Sequence, residues 1–181
     1  MKIIYLWFYC LPLWKASLLI LLFTFISVYF VNKYKSKKYV KCIITLCVFV
    51  GISIVLFTTL NRDISSLDYP VTLIPFKSYV DVFNGANKEL IRANFMNVLL
   101  FYPLGLFAGL LTDKKYKNIL WAIAFFILSV FIEIMQYKFQ LGYAEIDDVI
   151  HNTLGAAIGI WLSGFDLTRV DIKIFLRRKH K

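Results

Sequence analysis

Long uncharged apolar runs alternate with short charged ones along this chain, and the runs have the length of a bilayer crossing. A helix rises about 1.5 Å per residue, so roughly 20 apolar residues cross the hydrocarbon layer. Residues 42–60 carry no charge and are rich in Ile, Val, Leu and Phe, and residues 93–112 form a second such run. Residues 118–132 reach span length when the helix continues through Glu133 and Gln136, and residues 149–165 form a run entered by Asp147 and Asp148. The first run, 16–31, extends back to about residue 11 across Lys15, while residues 1–10, with Tyr5 and Trp7, suit the lipid–water interface. The pattern predicts an all-α, polytopic membrane protein of about five transmembrane helices, forming one domain over 1–165 with a basic tail at 166–181. The first apolar stretch is too long for a signal peptide and no small-residue cleavage site follows it.

Charge then sets the direction of the helices. Lys33, Lys35, Lys37, Lys38 and Lys41 lie between the first and second runs, and Lys114, Lys115 and Lys117 between the third and fourth. Arg169, Lys173, Arg177, Arg178, Lys179 and Lys181 follow the fifth, so 14 of the 21 basic residues fall on one side. Basic residues accumulate on the cytoplasmic side, which predicts an outside N-terminus and a cytoplasmic C-terminus. The long loop from Asn61 to about Arg92 is then extracytoplasmic. Its Leu73-Ile74-Pro75-Phe76 knot suits a membrane surface better than open water.

Composition agrees with lipid as the solvent. Apolar residues make up 60% of the chain and charged residues 18%, against about 25% in soluble domains. The net charge of +10 is spread between apolar runs as a topology signal, so nucleic acid is not expected as a partner. Cys10, Cys42 and Cys47 sit in or beside apolar runs without metal spacing, and neither metal nor cofactor is expected.

Polar residues inside the runs need a reason, because each costs several kcal/mol in hydrocarbon unless partnered. Asn94, Asn97, Phe101 and Gly105 share one face of the third helix at helical spacing; Ser129, Glu133 and Gln136 share one face of the fourth. Asp148, Asn152, Gly155 and Gly159 share one face of the fifth, bordered by His151. With the third and fifth helices running inward and the fourth outward, all three stripes meet about one helical turn below the outer surface. Gly105 with Gly109, and Gly155 with Gly159, form GxxxG pairs that let backbones approach. The stripes predict an outward-facing polar pocket made of Arg92, Asn94, Asn97, Glu133, Gln136, Asp147, Asp148 and Asn152. Amides alone commonly glue helices together, whereas carboxylates are costly to bury merely for packing. Asp147 is also placed to cap the fifth helix, and Pro103 to kink the third.

These residues also carry a family likeness. Thr72-Leu73-Ile74-Pro75-Phe76, then the run Asn94 to Gly105, then Glu133-Ile134-Met135-Gln136, then Glu145 to Gly155 resemble, in order and spacing, the motifs of the VanZ family, with a motif core over 72–159. Thr72 stands where the family typically has Asn, and Leu141-Gly142-Tyr143-Ala144 lacks an Arg common in members. The resemblance implies a small membrane protein of the bacterial cell envelope, associated with resistance to glycopeptide antibiotics and to teicoplanin in particular. Sixteen Lys against five Arg, with abundant Ile, Phe and Tyr, loosely suggests an AT-rich genome, and a low-GC Gram-positive source would fit.

The leading functional expectation is a non-enzymatic plasma-membrane protein whose pocket binds a lipid headgroup, a lipid-linked cell-wall precursor or a lipoglycopeptide. One alternative is an intramembrane enzyme acting on a lipid or cell-wall precursor, with Glu133, Asp148 and His151 as its acid–base groups. Another is a small transporter or the accessory subunit of a membrane complex, the latter as a homo-oligomer or beside a partner protein; no inverted repeat supports a transporter.

Overall fold

A computed structural model describes residues 13–34, 38–60, 71–86, 88–112 and 115–164. Expectations for the N-terminal interface segment, for the loop segment 61–70 and for the basic tail lie outside the described residues. Six helices are described: α1 (Leu13–Tyr34), α2 (Lys38–Leu60), α3 (Lys77–Phe83), α4 (Glu89–Leu110), α5 (Lys115–Phe139) and α6 (Ile146–Ser163). Three of them contain stretches long and apolar enough to cross a membrane, Tyr39–Phe57, Glu89–Leu110 and Tyr116–Phe139; Leu22–Val31 in α1 is a shorter apolar segment. Helix α6 carries Asp147, Asp148, His151 and Asn152 in its first two turns, which dilutes its hydropathy.

The chain is mostly helical, with two departures from the expected pattern. The segment between the second and third apolar runs contains the short helix α3, and strands β1 (Val71–Thr72) and β2 (Ala144–Glu145) pair in parallel, Val71 with Ala144 and Thr72 with Glu145. Alternation over two residues is too short to register as a strand in the sequence. Helix α4 also begins at Glu89, four residues before the uncharged run, with Glu89 and Arg92 in its first turn.

Residues 41–164 form one compact unit; α1 lies in the other and is described by itself. It shows Leu22, Phe23, Phe25 and Ile26 on its surface, with Lys33 over the rings of Tyr29 and Tyr34. Within the compact unit α4 is central: 56% of its apolar window is buried, against 22% for those of α2 and α5. Its core joins Val55, Phe101, Leu104, Ala108, Phe125, Ile132, Ala156 and Ile160.

Helices α4 and α6 run parallel with their backbones in contact, and glycine makes this possible. A Cβ at Gly105 would stand 2.0 Å from the Ala156 carbonyl oxygen, and one at Gly155 2.2 Å from that of Val98. At Gly159 it would meet the Tyr102 carbonyl oxygen at 2.2 Å, and at Gly109 the Ser163 hydroxyl at 2.1 Å. Helix α5 is antiparallel to α6: Ser129 meets Asn152, while Glu133, one turn later, meets Glu145. One end of the unit therefore collects the start of α4, the end of α5, the start of α6, and the α3 segment.

Candidate polar cluster

The first turn of α6 supplies the centre of that end. Asp147 is 2% exposed, and its carboxylate leaves its own helix to accept three hydrogen bonds from the α3 segment. The donors are the Phe76 backbone N–H, the Ser78 backbone N–H at 3.0 Å and the Ser78 hydroxyl. Asn94 of α4 donates in turn to Ser78 Oγ at 2.7 Å, which ties α3, α4 and α6 together. The cap expected on α6 itself is not what Asp147 forms: the N-cap position of α6 is Glu145, which makes no side-chain cap bond. Asp147 instead satisfies the start of α3, whose free N–H groups favour a negative charge.

The same contact holds a strained residue. Phe76, the N-cap of α3, has φ 61 and ψ 19, a left-handed conformation rare for a bulky side chain. Such a backbone persists where its surroundings over-determine it. Here Asp147 grips the N–H of Phe76 and both donors of Ser78.

Glu133 and Gln136 serve helix ends as well. Glu133 Oε2 accepts from the Glu145 N–H at 2.9 Å, fastening the turn that enters α6. Gln136 Nε2 donates to the Thr59 carbonyl oxygen at 3.1 Å, one of the terminal carbonyls of α2. Helix α5 closes on itself: Gln140 adopts φ 54, its N–H reaches the Tyr137 carbonyl, and the Leu141 N–H reaches that of Gln136 at 2.9 Å. Buried helix ends leave backbone groups without intrahelical partners, and here neighbouring side chains satisfy them.

Asn152 lies one turn further along α6. Asn152 Nδ2 donates to Ser129 Oγ at 2.9 Å between α6 and α5. Asn152 Oδ1 and Gln136 Oε1 are buried without a hydrogen-bond partner. Asn97 is buried on α4, while Asp148 and Arg92 are half-buried. The structure thus joins Asn94 to Asp147 through Ser78, and places Glu133, Gln136 and Asn152 on separate hydrogen bonds over two turns of α5.

His151, one turn beyond Asp147, is 5% exposed. Its Nδ1 faces the Asp147 carbonyl oxygen, which can only accept, so Nδ1 carries the proton. In the neutral ring Nε2 is then an acceptor, and the Tyr79 hydroxyl donates to it at 2.7 Å. The two rings also stack, with centroids 5.7 Å apart. Tyr79 is 38% exposed, so this chain of hydrogen bonds links a surface phenol to a buried imidazole. Ser78 and Tyr79 were not legible as members of the cluster. They lie about 70 residues from Asp147 and His151, and only the close of the α3 segment onto α6 brings them in. Among the described residues, no group of three or more His, Cys, Asp or Glu side chains is arranged to hold a metal ion.

Residues 18–166 match the family model described as VanZ/LLP1. Protein VanZ of Enterococcus faecium is 33% identical over 126 residues, covering 66% of this chain and 70% of that protein. No solved structure matches the chain.

Proposed function

The chain belongs to the VanZ/LLP1 family, and from that premise we propose that it is a multi-pass protein of the bacterial plasma membrane that contributes to tolerance of glycopeptide antibiotics, teicoplanin in particular. It crosses the membrane five times, with its N-terminus outside and its C-terminus in the cytoplasm. The polar end of α4, α5 and α6 then faces outward, at the depth where lipid headgroups begin. There it binds the headgroup of a lipid or of a lipid-linked ligand, without covalent chemistry.

One observation carries this reading. Gln136 Oε1 and Asn152 Oδ1 are buried acceptors with unspent hydrogen-bond capacity, at the end where the helix termini also gather. Each amide spends its nitrogen on a bond between helices, Gln136 to the Thr59 carbonyl and Asn152 to Ser129, which accounts for the residue but not for the oxygen. An unsatisfied buried polar atom costs about 1–3 kcal/mol, and a hydroxyl, amide or ammonium group of a ligand would offset that cost by donating to it. The half-buried carboxylate of Asp148, the Asn97 amide and the half-buried guanidinium of Arg92 add charge and donors at the same end. Membrane lipids are the constant partners of such a site.

The test is teicoplanin and vancomycin susceptibility in a deletion strain complemented with wild type or with the Glu133→Gln, Asp148→Asn double variant, at matched membrane levels. Wild type restores teicoplanin tolerance and the variant does not. A variant that protects as well as wild type contradicts the outward site. A deletion that changes neither susceptibility removes the resistance role from this chain.

A second reading has its own observation, the Tyr79–His151 hydrogen bond, which pairs a surface phenol with a buried imidazole of the kind used in acid–base chemistry. Turnover of labelled lipid precursor by purified protein, lost in His151→Gln, would move the assignment from a binder to an enzyme.

A further inference from the structure

The α3 segment turns an unusual amount of apolar surface away from the protein. Leu73 is 72% exposed, Ile74 64%, Phe76 53%, Val80 55% and Phe83 92%. Single exposed apolar residues are ordinary, but five within eleven residues of a short loop form a patch that calls for a partner. Flexibility does not account for it, because the three hydrogen bonds to Asp147, the Asn94–Ser78 bond and the Tyr79–His151 bond hold the segment in place.

Its position says what the partner is. The segment sits where α4 begins and α5 ends, and these are two of the helices long and apolar enough to span. Tyr137, Phe139 and Tyr143, at and just beyond the end of α5, are exposed too. Phe76 and Phe83 are exposed as well, and aromatic rings gather where hydrocarbon meets headgroups. The segment cannot lie deep in hydrocarbon. Its turns leave backbone groups outside any helix or barrel, and Asp81, Asn84 and Lys88 flank its apolar face. Open water does not suit a phenylalanine 92% exposed. The headgroup layer meets both requirements.

We propose that residues 73–83 are a membrane-surface anchor, with Leu73, Ile74, Phe76, Val80 and Phe83 embedded in the headgroup layer of the bilayer that the chain spans. The occupant of the patch is lipid rather than a second protein. Because Asp147 and His151 grip the far side of the segment, the anchor also sets the depth of the buried cluster. The inference rests on the proposed membrane-spanning arrangement and not on any ligand.

Collisional accessibility of spin labels in liposomes tests it. In a background with Cys10, Cys42 and Cys47 replaced by Ala, single cysteines are placed at Val80, at Phe83 and at Ile127 in the middle of α5. Labels at 80 and 83 are expected to relax more with oxygen than with a water-soluble nickel chelate, by a smaller margin than the label at 127. If nickel dominates at 80 and 83 while oxygen dominates at 127, the anchor is wrong and the spanning arrangement stands. If nickel dominates at 127 as well, the spanning arrangement itself fails. Exclusion of both reagents at 80 and 83 means that protein covers the patch, which overturns lipid as its occupant.

Discussion

Asp147 shows how much a single buried carboxylate can organise in a membrane protein. It accepts two backbone N–H groups and one hydroxyl, so its charge is balanced by dipoles without a paired cation in that set. Each bond to a charged acceptor contributes about 1.5–3 kcal/mol. Asp147→Asn keeps one carbonyl oxygen but turns an amide nitrogen toward donors. It is expected to destabilise the closed α3 segment by about 2–3 kcal/mol. Trypsin should then cut after Lys77 on the order of tenfold faster or more, because cleavage follows the open population. Asp148→Asn, at the half-buried neighbour, should change the rate far less. Equal rates in the two variants would show that Asp147 does not fasten the segment. The neighbouring position illustrates what the sequence hides. The helical stripe points to Asp148, because Asp148, Asn152 and Gly155 share a face, whereas the residue that reaches across to α3 is Asp147. Nothing local to either aspartate distinguishes them; the presence of Ser78 opposite one of them does.

At the scale of elements, the close contact of α4 and α6 depends on where hydrogen replaces a methyl group. A Cβ at Gly105 would strike the backbone of α6 at Ala156, which cannot move without separating the helices. A Cβ at Gly51 in α2 would meet only the flexible end of Leu104, at 2.6 Å from Cδ2. Thermal unfolding in detergent should therefore separate the two changes. Gly105→Ala is expected to cost at least about 2 kcal/mol by overpacking. Gly51→Ala is expected to be neutral, or to stabilise by up to about 1 kcal/mol through helix propensity. A tolerated Gly105→Ala would mean that the helices stand further apart. The GxxxG spacing is visible in the sequence, since it follows from helical geometry alone. The partner of each glycine is not visible, because several helices in a bundle can present a small-residue face to one another.

On the scale of the whole molecule, the asymmetry of Lys and Arg and the position of the polar cluster make one joint claim, that the cluster faces outward. Fusing green fluorescent protein to the C-terminus should give fluorescence, and fusing alkaline phosphatase there should give no activity. The phosphatase should be active when fused after residue 66. The reverse result would turn the cluster to the cytoplasm and end its role toward extracellular antibiotics. Helicity, three of the five expected apolar spans, the family and the glycine pairs follow from the sequence itself, because they arise from period, length and composition, which neighbouring residues settle among themselves. The tertiary structure decided which polar groups meet. Asn94 reaches Asp147 through Ser78, Gln136 finishes α2, Glu133 holds the entrance to α6, and His151 receives Tyr79. Those partners come from segments 12 to 77 residues away in the chain. The end of a helix leaves backbone groups without partners inside the helix, and where it is buried its hydrogen bonds go to whichever polar side chain the packing of other helices delivers.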